Sequence, residues 1–287
     1  MRSLISPSGS AGFPARAVAV LTALAGALVA ALVFAPGLLA ALGRDSDLAD
    51  RHNLVDDSRD AFLGYWRAGK ENFSPELQGV VDYWFRYNAA RAVIASLLLI
   101  VLVALGFLVW KAFLTDSPGM ARRAALASAG VFVSGLALFA LWTAVASIQG
   151  AAAPFAALLP VLGVGAAPRG GTLADAVGQI KRQLTHFTGG SEHARPALDG
   201  IVSDYVRFHV VHVIAAAPIA LVFMGAGVVL WTRARKGSPD RRTRRTLRSF
   251  AVSAVLLSLF FIFILVANVD TAANPEPGLL AFFNGSW

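Results

Sequence analysis

The chain has 287 residues, of which 56% are hydrophobic and 15% are charged, and its mean hydropathy is positive. This composition is too apolar for an ordinary soluble domain and is typical of a protein that lies in a bilayer. The net charge is +8 and cysteine is absent, which excludes disulfides, thiolate metal sites and cysteine nucleophiles.

Five apolar runs approach the roughly 20 residues that a helix needs to cross about 30 Å of hydrocarbon. They cover residues 17–42, 92–110, 124–147, 213–231 and 250–269. They predict an all-α integral membrane protein with five transmembrane helices. The first run also resembles a signal peptide, but it exceeds the usual apolar region of about 7 to 15 residues and lacks a clear cleavage site. We therefore expect it to be retained as the first membrane helix.

The distribution of basic residues predicts the orientation. The N-terminal segment, the connection between the second and third helices and residues 233–248 together carry +11, and the rest of the chain carries −3. Because Lys and Arg resist translocation, these three segments are expected in the cytoplasm. The N-terminus is then cytoplasmic and the C-terminus lies outside the plasma membrane.

Residues 233–248 hold eight basic residues against the single Asp240. The first expected partner of the chain is the lipid bilayer itself. The charge of this loop further predicts contact with anionic lipid headgroups and not with nucleic acid. A phosphate-bearing partner is the alternative ligand for its central arginines, which are Arg241, Arg242, Arg244 and Arg245.

The predicted organisation alternates membrane helices with two long outer loops. It comprises a cytoplasmic N-terminus (1–16), a first unit (17–113) with its outer loop at 43–88, a cytoplasmic loop (114–123), a second unit (124–232) with its outer loop at 150–208, the basic loop (233–248), a fifth helix (249–269) and an outer tail (270–287). Both outer loops are rich in apolar and aromatic residues. We therefore expect them to form short helices that cap the membrane bundle.

An internal repeat is the most informative pattern in the sequence. Residues 75–91 align without gaps with residues 196–212, and each segment runs directly into an apolar run. Each copy is then a helix, a long outer loop and a second helix. The repeat predicts a pseudosymmetric four-helix bundle with one additional C-terminal helix.

The repeated segments place polar and aromatic residues on one helix face. Trp84, Asn88 and Arg91 are spaced i, i+4 and i+7, which brings them to the same side of a helix. The aligned residues of the second copy are Tyr205, His209 and His212. We expect the two faces to meet near the outer membrane boundary. The alternative is that Arg91 snorkels to the interface and that the histidines make ordinary boundary hydrogen bonds.

The histidines raise the question of a metal or haem cofactor. His209 and His212 stand at i, i+3 near a helix N-terminus, where the helix dipole favours the neutral, metal-binding imidazole. Asp204, His186 or His193 would complete such a site. Bis-His haem is disfavoured, because it needs histidines on two facing helices and only the fourth membrane helix carries any. The absence of a cofactor is the leading expectation.

The face of Trp84, Asn88 and Arg91, leading into an apolar helix, resembles the anthrone-oxygenase-like membrane protein family of unknown function. The likeness covers two stretches of about 35 residues. Members are four-helix proteins with an aromatic residue, then Asn or His, then Arg. The resemblance implies an oxygenase acting on an apolar substrate. This chain differs in carrying the motif twice, in placing His212 where Arg is expected and in having a fifth helix.

Two functions from different classes follow from these patterns. The leading expectation is a membrane-embedded binding or scaffolding module, as a subunit of a bacterial envelope complex with a membrane-protein partner. The alternative is a metal-dependent or cofactor-free membrane enzyme acting on an apolar substrate at the outer leaflet. In that enzyme Arg91 stabilises an oxyanion, His209 or His212 is the general base, and Trp84 and Tyr205 stack on the substrate.

Overall fold

The computed structural model describes residues 12–42, 46–115, 119–163, 171–185, 196–236 and 240–285. Within these ranges every regular element is helical. The α-helices are α1 (Gly12–Ala40), α2 (Arg51–Ala68), α3 (Pro75–Thr115), α4 (Met120–Ala152), α5 (Pro154–Leu158), α6 (Thr172–Thr185), α7 (Pro196–Lys236), α8 (Arg241–Ala273) and α9 (Pro275–Phe283). Short 3-10 helices cover Ser46–Ala49 and Leu159–Leu162.

Five of these helices, α1, α3, α4, α7 and α8, are long and apolar enough to cross a membrane. Four of them contain a predicted apolar run in full, and α1 contains all but the last two residues of the run at 17–42, so the prediction of an all-α, multi-pass membrane fold is confirmed. Every other end of these helices lies beyond its predicted limit. For example, α3 and α7 each have 41 residues, or roughly 60 Å, about twice the thickness of the hydrocarbon. Each repeated segment is therefore the first part of a continuous helix.

The chain divides into two compact units. The first comprises the chain up to Ala35 together with Arg91–Ala144, that is, most of α1, the apolar part of α3 and most of α4. Its core is aliphatic and includes Leu98, Leu102 and Ala140. On α3, the Trp110 indole donates a hydrogen bond to Ser134 at 3.2 Å and packs directly against Gly130.

The second unit comprises Pro36–Ala90 and Val145–Trp287. Within it, α2, the first part of α3, α5, α6, the first part of α7 and α9 share one hydrophobic core. We call this set of packed helices the headpiece. Its largest fully buried side chains include Phe62, Tyr65, Phe155 and Phe283. The described parts of both predicted outer loops therefore form helices that pack on each other.

The segment predicted as a C-terminal tail is a structural part of the headpiece. Residues 275–283 form α9, which packs against α6 and α7. Its Leu279 and Phe283 are fully buried in the shared core. The sequence predicted no helix for this tail, because only a short apolar stretch carried any signal.

Tyr65 ties the two outer segments together. Its hydroxyl lies 3.1 Å from the carbonyl oxygen of Glu71 and 3.0 Å from that of Ala197. Gly200 makes room for this hydroxyl, since a Cβ there would collide with it. The aligned Gly79 faces open space, so only the second copy of the repeat needs its glycine for packing. Burial, with smaller effects from Glu71 and Asp199, raises the pKa of Tyr65 to about 12.

Helix α8, the helix outside the predicted repeat, packs antiparallel along α7. Ser258 donates a hydrogen bond to the carbonyl of Ala220 at 2.9 Å, and Phe223 stacks on Phe261 with ring centroids 6.0 Å apart. The fifth membrane helix is thus a direct partner of the second copy. The pseudosymmetric four-helix arrangement of the two copies stays a prediction.

Candidate functional site

The first copy of the motif contributes Trp84 and Asn88 from α3. The Asn88 side chain donates a hydrogen bond to the carbonyl of Trp84 at 2.9 Å, and the Trp84 ring stacks on Tyr87 with centroids 5.1 Å apart. Asn88 is buried against Gly150 of α4, where a Cβ would lie only 2.6 Å from the Asn88 Oδ1 atom. The glycine therefore allows the close contact between α3 and α4 at this point.

The second copy contributes Tyr205 and His209 from α7. The two rings meet edge to face, with centroids 4.5 Å apart, and the Phe208 ring also contacts His209, with centroids 5.6 Å apart. Aromatic contacts of this kind hold the imidazole in place.

Asn268 of α8 determines which nitrogen of His209 carries the proton. Its amide nitrogen donates to the carbonyl of Ile264 at 2.8 Å, which orients its oxygen toward the His209 Nδ1 atom at 2.7 Å. Because an amide oxygen only accepts, Nδ1 of the neutral imidazole carries the hydrogen. The Nε2 atom of His209 is then left as a hydrogen-bond acceptor or base.

These four residues line one cavity of about 470 Å³. The volume is within the range of about 300 to 1,000 Å³ that small-molecule sites occupy. Other parts of the headpiece and α4 complete the wall with Gln149, Gly150, Leu159, Pro160, Gly278 and Phe282. Among the described residues that line the cavity there is no Lys, Arg, Asp or Glu side chain. The cavity is thus mainly apolar, with a few neutral polar groups.

Two hydrogen bonds from α7 to the end of α4 and the start of α5 hold the cavity wall. The buried carboxylate of Asp204 accepts from the Ala156 backbone N–H at 2.8 Å, and the side chain of Gln149 donates to the carbonyl of Phe208 at 3.0 Å. Asp204 is 7% exposed and lies 3.6 Å from Arg207. Its carboxylate therefore anchors the backbone of α5, whereas the sequence offered Asp204 as one of three residues that would complete a metal site.

The indole N–H of Trp84 is the most informative polar group of the cavity residues. The Nε1 atom is buried and has no hydrogen-bond partner among the described residues. Leaving such a donor unpaired costs about 1 to 3 kcal/mol. A ligand atom that accepts this hydrogen bond would remove the cost, but the ring must first turn, because the Nε1 atom has no accessible surface in this position.

Two of the predicted site residues lie elsewhere. His212 is half-buried one turn along α7 and is not part of the cavity lining, and Arg91 belongs to the first unit. His186 and His193 lie outside the described residues. In the described part of the chain, no three His, Asp or Glu side chains form a group that could hold a metal ion.

Sequence reasoning missed Gln149, Asn268 and the contribution of α9. Of these, Asn268 was the easiest to find from the sequence, because an amide in an apolar helix is costly unless it has a hydrogen-bond partner. Gly278 and Phe282 gave no such signal, since nothing in their sequence context indicates that α9 folds back onto α7.

Comparisons with protein-family models, with curated proteins and with solved structures each gave no significant match. The resemblance to the anthrone-oxygenase-like family therefore stays a prediction.

Proposed function

We propose that the protein is a membrane-embedded binding module that holds a small, uncharged, largely apolar molecule in the 470 Å³ cavity. The observation that carries the proposal is the convergence of Trp84 and Asn88 with Tyr205 and His209 around this cavity. An isolated structural bundle has no need for such a space, because protein interiors are close-packed.

The chemistry of the lining defines the ligand class. An apolar body fits the aliphatic and aromatic wall, and the lack of charged side chains disfavours an ionic ligand. The Trp84 N–H can donate a hydrogen bond to an acceptor such as a carbonyl or ether oxygen. The Nε2 atom of His209 can accept a hydrogen bond from a hydroxyl. The ligand is then an apolar molecule with a neutral oxygen-bearing head.

The test is recovery of a co-purified molecule. The protein is purified in mild detergent, extracted with organic solvent, and the extract is compared by mass spectrometry with that of Ala157→Phe. Ala157 lines the cavity, so the larger ring should fill it and remove the bound compound. Ala151→Phe, a substitution at a half-buried site outside the lining, is the matched control. Equal recovery from wild type and Ala157→Phe would contradict the proposal.

Trp84→Phe tests the polar contact. It keeps an aromatic wall but removes the N–H donor, so we expect the affinity for the recovered compound to fall about five- to tenfold. Tryptophan fluorescence titration cannot follow this variant directly, so isothermal titration calorimetry of the full chain is the measurement. An unchanged affinity would show that the ligand does not use this donor.

A second candidate, a membrane enzyme at the same site, is favoured by the orientation of His209. Its Nδ1–H to Asn268 leaves Nε2 as the basic nitrogen beside the cavity, the arrangement that a general base requires. The cofactor-free form has more support than the metal form, because His212, the second imidazole of the metal site considered, is not part of the cavity lining. Chemical conversion of the recovered compound by wild type, lost in His209→Ala with binding retained, would support this candidate.

The proposed orientation has the N-terminus and the basic segment 233–248 in the cytoplasm and the headpiece outside the plasma membrane. The charge difference between the two sets of connections supports it. The cavity then lies on the outer side, where α3 and α7 pass from the headpiece into their apolar runs. In this setting a ligand can enter from the outer leaflet, and a membrane-protein partner of an envelope complex can contact the headpiece.

A further inference from the structure

A second, separate space lies between α7 and α8 at the end remote from the headpiece. This groove has a volume of about 370 Å³ and is lined by Gly227, Val228, Trp231, Ala251, Val252 and Leu256, with Thr232 and Val255 completing it. Val252 and Leu256 are 51% and 60% exposed, so the groove opens toward the lipid. Its lining is almost entirely apolar.

The floor of the groove is formed where the two helices approach each other closely at Gly227. A Cβ at Gly227 would lie 3.0 Å from a methyl group of Val255 and 3.3 Å from the carbonyl of Ala251. Small residues allow this approach, and the larger side chains on either side become the walls. The result is a short apolar channel, lined over one to two turns of each helix by residues 227–232 and 251–256.

An arginine lies at the mouth of this channel. The Arg248 guanidinium carbon is 5.9 Å from the centre of the Trp231 ring, which itself lines the groove. Stacking on the indole uses the face of the guanidinium and leaves its N–H edge for a second partner.

The segment around the mouth carries a strong net positive charge. Residues 233–248 contain eight basic residues, and their one acidic residue, Asp240, caps α8 by accepting from the backbone of Arg242 at 3.2 Å. Both helices leave their apolar runs here, at Trp231 and Phe250, so this charge lies at the level of lipid headgroups.

We propose that the groove between α7 and α8 binds an anionic phospholipid, with one acyl chain in the apolar channel and the phosphate held by Arg248. An acyl chain fits an apolar, lipid-facing channel, and the N–H edge of arginine pairs with phosphate oxygens. This site is independent of the cavity in the headpiece and of any ligand held there.

Native mass spectrometry of the full chain tests the proposal. The detergent-purified protein is mixed with phosphatidylglycerol or with phosphatidylcholine of the same acyl chains, and retained lipid is counted. We expect wild type to retain one phosphatidylglycerol at least tenfold more strongly than phosphatidylcholine. Arg248→Gln should weaken phosphatidylglycerol binding about tenfold and leave phosphatidylcholine unchanged.

Two pairs of variants separate the groove from general lipid adhesion. Val252→Trp should block the channel and reduce retention, whereas Leu259→Trp, equally exposed on α8 but outside the groove, should not. Arg123→Gln is the control for charge, because Arg123 is an exposed arginine of the other basic connection. Equal retention of both lipids by wild type, or equal effects of Arg248→Gln and Arg123→Gln, would overturn the proposal.

Discussion

The imidazole of His209 is oriented by Asn268, a residue of the neighbouring helix that the repeat does not include. A hydrogen bond of 2.7 Å to an amide oxygen selects the tautomer with hydrogen on Nδ1. This arrangement makes Nε2 the chemically useful atom, whether the site binds a hydroxyl or removes a proton.

Asn268→Ala should remove the preference of His209 for the tautomer that carries hydrogen on Nδ1. Without the amide oxygen, His209 is expected to populate both neutral forms, which nitrogen NMR of histidine-labelled protein distinguishes. Asn268→Asp is the useful comparison, since it keeps an acceptor at this position. A His209 signal unchanged in Asn268→Ala would mean that the hydrogen bond does not set the tautomer.

Gly150→Ala should destabilise the second unit. The new Cβ would lie 2.6 Å from the Asn88 Oδ1 atom and 2.8 Å from its Cγ, so the amide would have to leave the position in which it donates to the Trp84 carbonyl. Overpacking of this kind costs about 1 to 3 kcal/mol. Gly135→Ala on the same helix is the control, because its Cβ would meet open space. Thermal unfolding in detergent, followed by circular dichroism, should separate the two variants.

Tyr65 should make the headpiece sensitive to alkali. Its pKa is raised to about 12, whereas the unfolded chain titrates this group near its ordinary value of 10. Between these values the unfolded state loses the proton first, so this contribution to stability is complete below pH 10 and falls as the pH rises toward 12. Tyr65→Phe should be less stable at neutral pH by about 1 to 2 kcal/mol. Because it has no phenol to ionise, it should lack the loss of stability that Tyr65 causes at alkaline pH. Parallel stability–pH curves for both proteins would contradict the assignment.

At the scale of elements, the 41-residue helices α3 and α7 connect the membrane to the headpiece without interruption. Each carries its motif about one to two turns before its apolar run. The position of the site therefore depends on rigid helices, and loop conformations contribute only to the wall. Sites on such elements hold their geometry well.

Helix α9 closes the headpiece core and part of the cavity. Phe283 is fully buried, so Phe283→Ala should cost about 3 to 5 kcal/mol through lost burial and a new void. Phe263→Ala, at a position that is 71% exposed on α8, should have a much smaller effect. Unfolding monitored by tryptophan fluorescence gives both values. Similar losses for the two variants would show that α9 does not pack as described.

For the whole molecule, the proposed orientation leads to a direct experiment, because the chain contains no native cysteine. Single cysteines at the exposed positions Lys70 and Arg241 should react differently with a membrane-impermeant maleimide on intact cells. The Lys70→Cys variant should be labelled from outside, and Arg241→Cys only after permeabilisation. The reverse pattern would invert the proposed topology.

The sequence alone determined the membrane class, the number of long apolar helices and the residues that carry the repeated motif. These properties depend on local composition and spacing. Hydrocarbon thickness determines the minimum length of a membrane helix, and helical periodicity determines which residues share one face of it. Trp84, Asn88, Tyr205 and His209 could be selected on that basis. Their common cavity, by contrast, was only an expectation from the repeat.

Only the tertiary structure decided which groups actually contact each other. Asp204 pairs with a backbone N–H of α5, Asn268 orients His209, and α9 folds back to contribute Gly278 and Phe282. The sequence separations involved, 48 residues for Asp204 and Ala156 and 59 for His209 and Asn268, leave no periodic signal. Such contacts follow from helix packing, which local patterns do not encode because packing depends on the shapes of both partners at once.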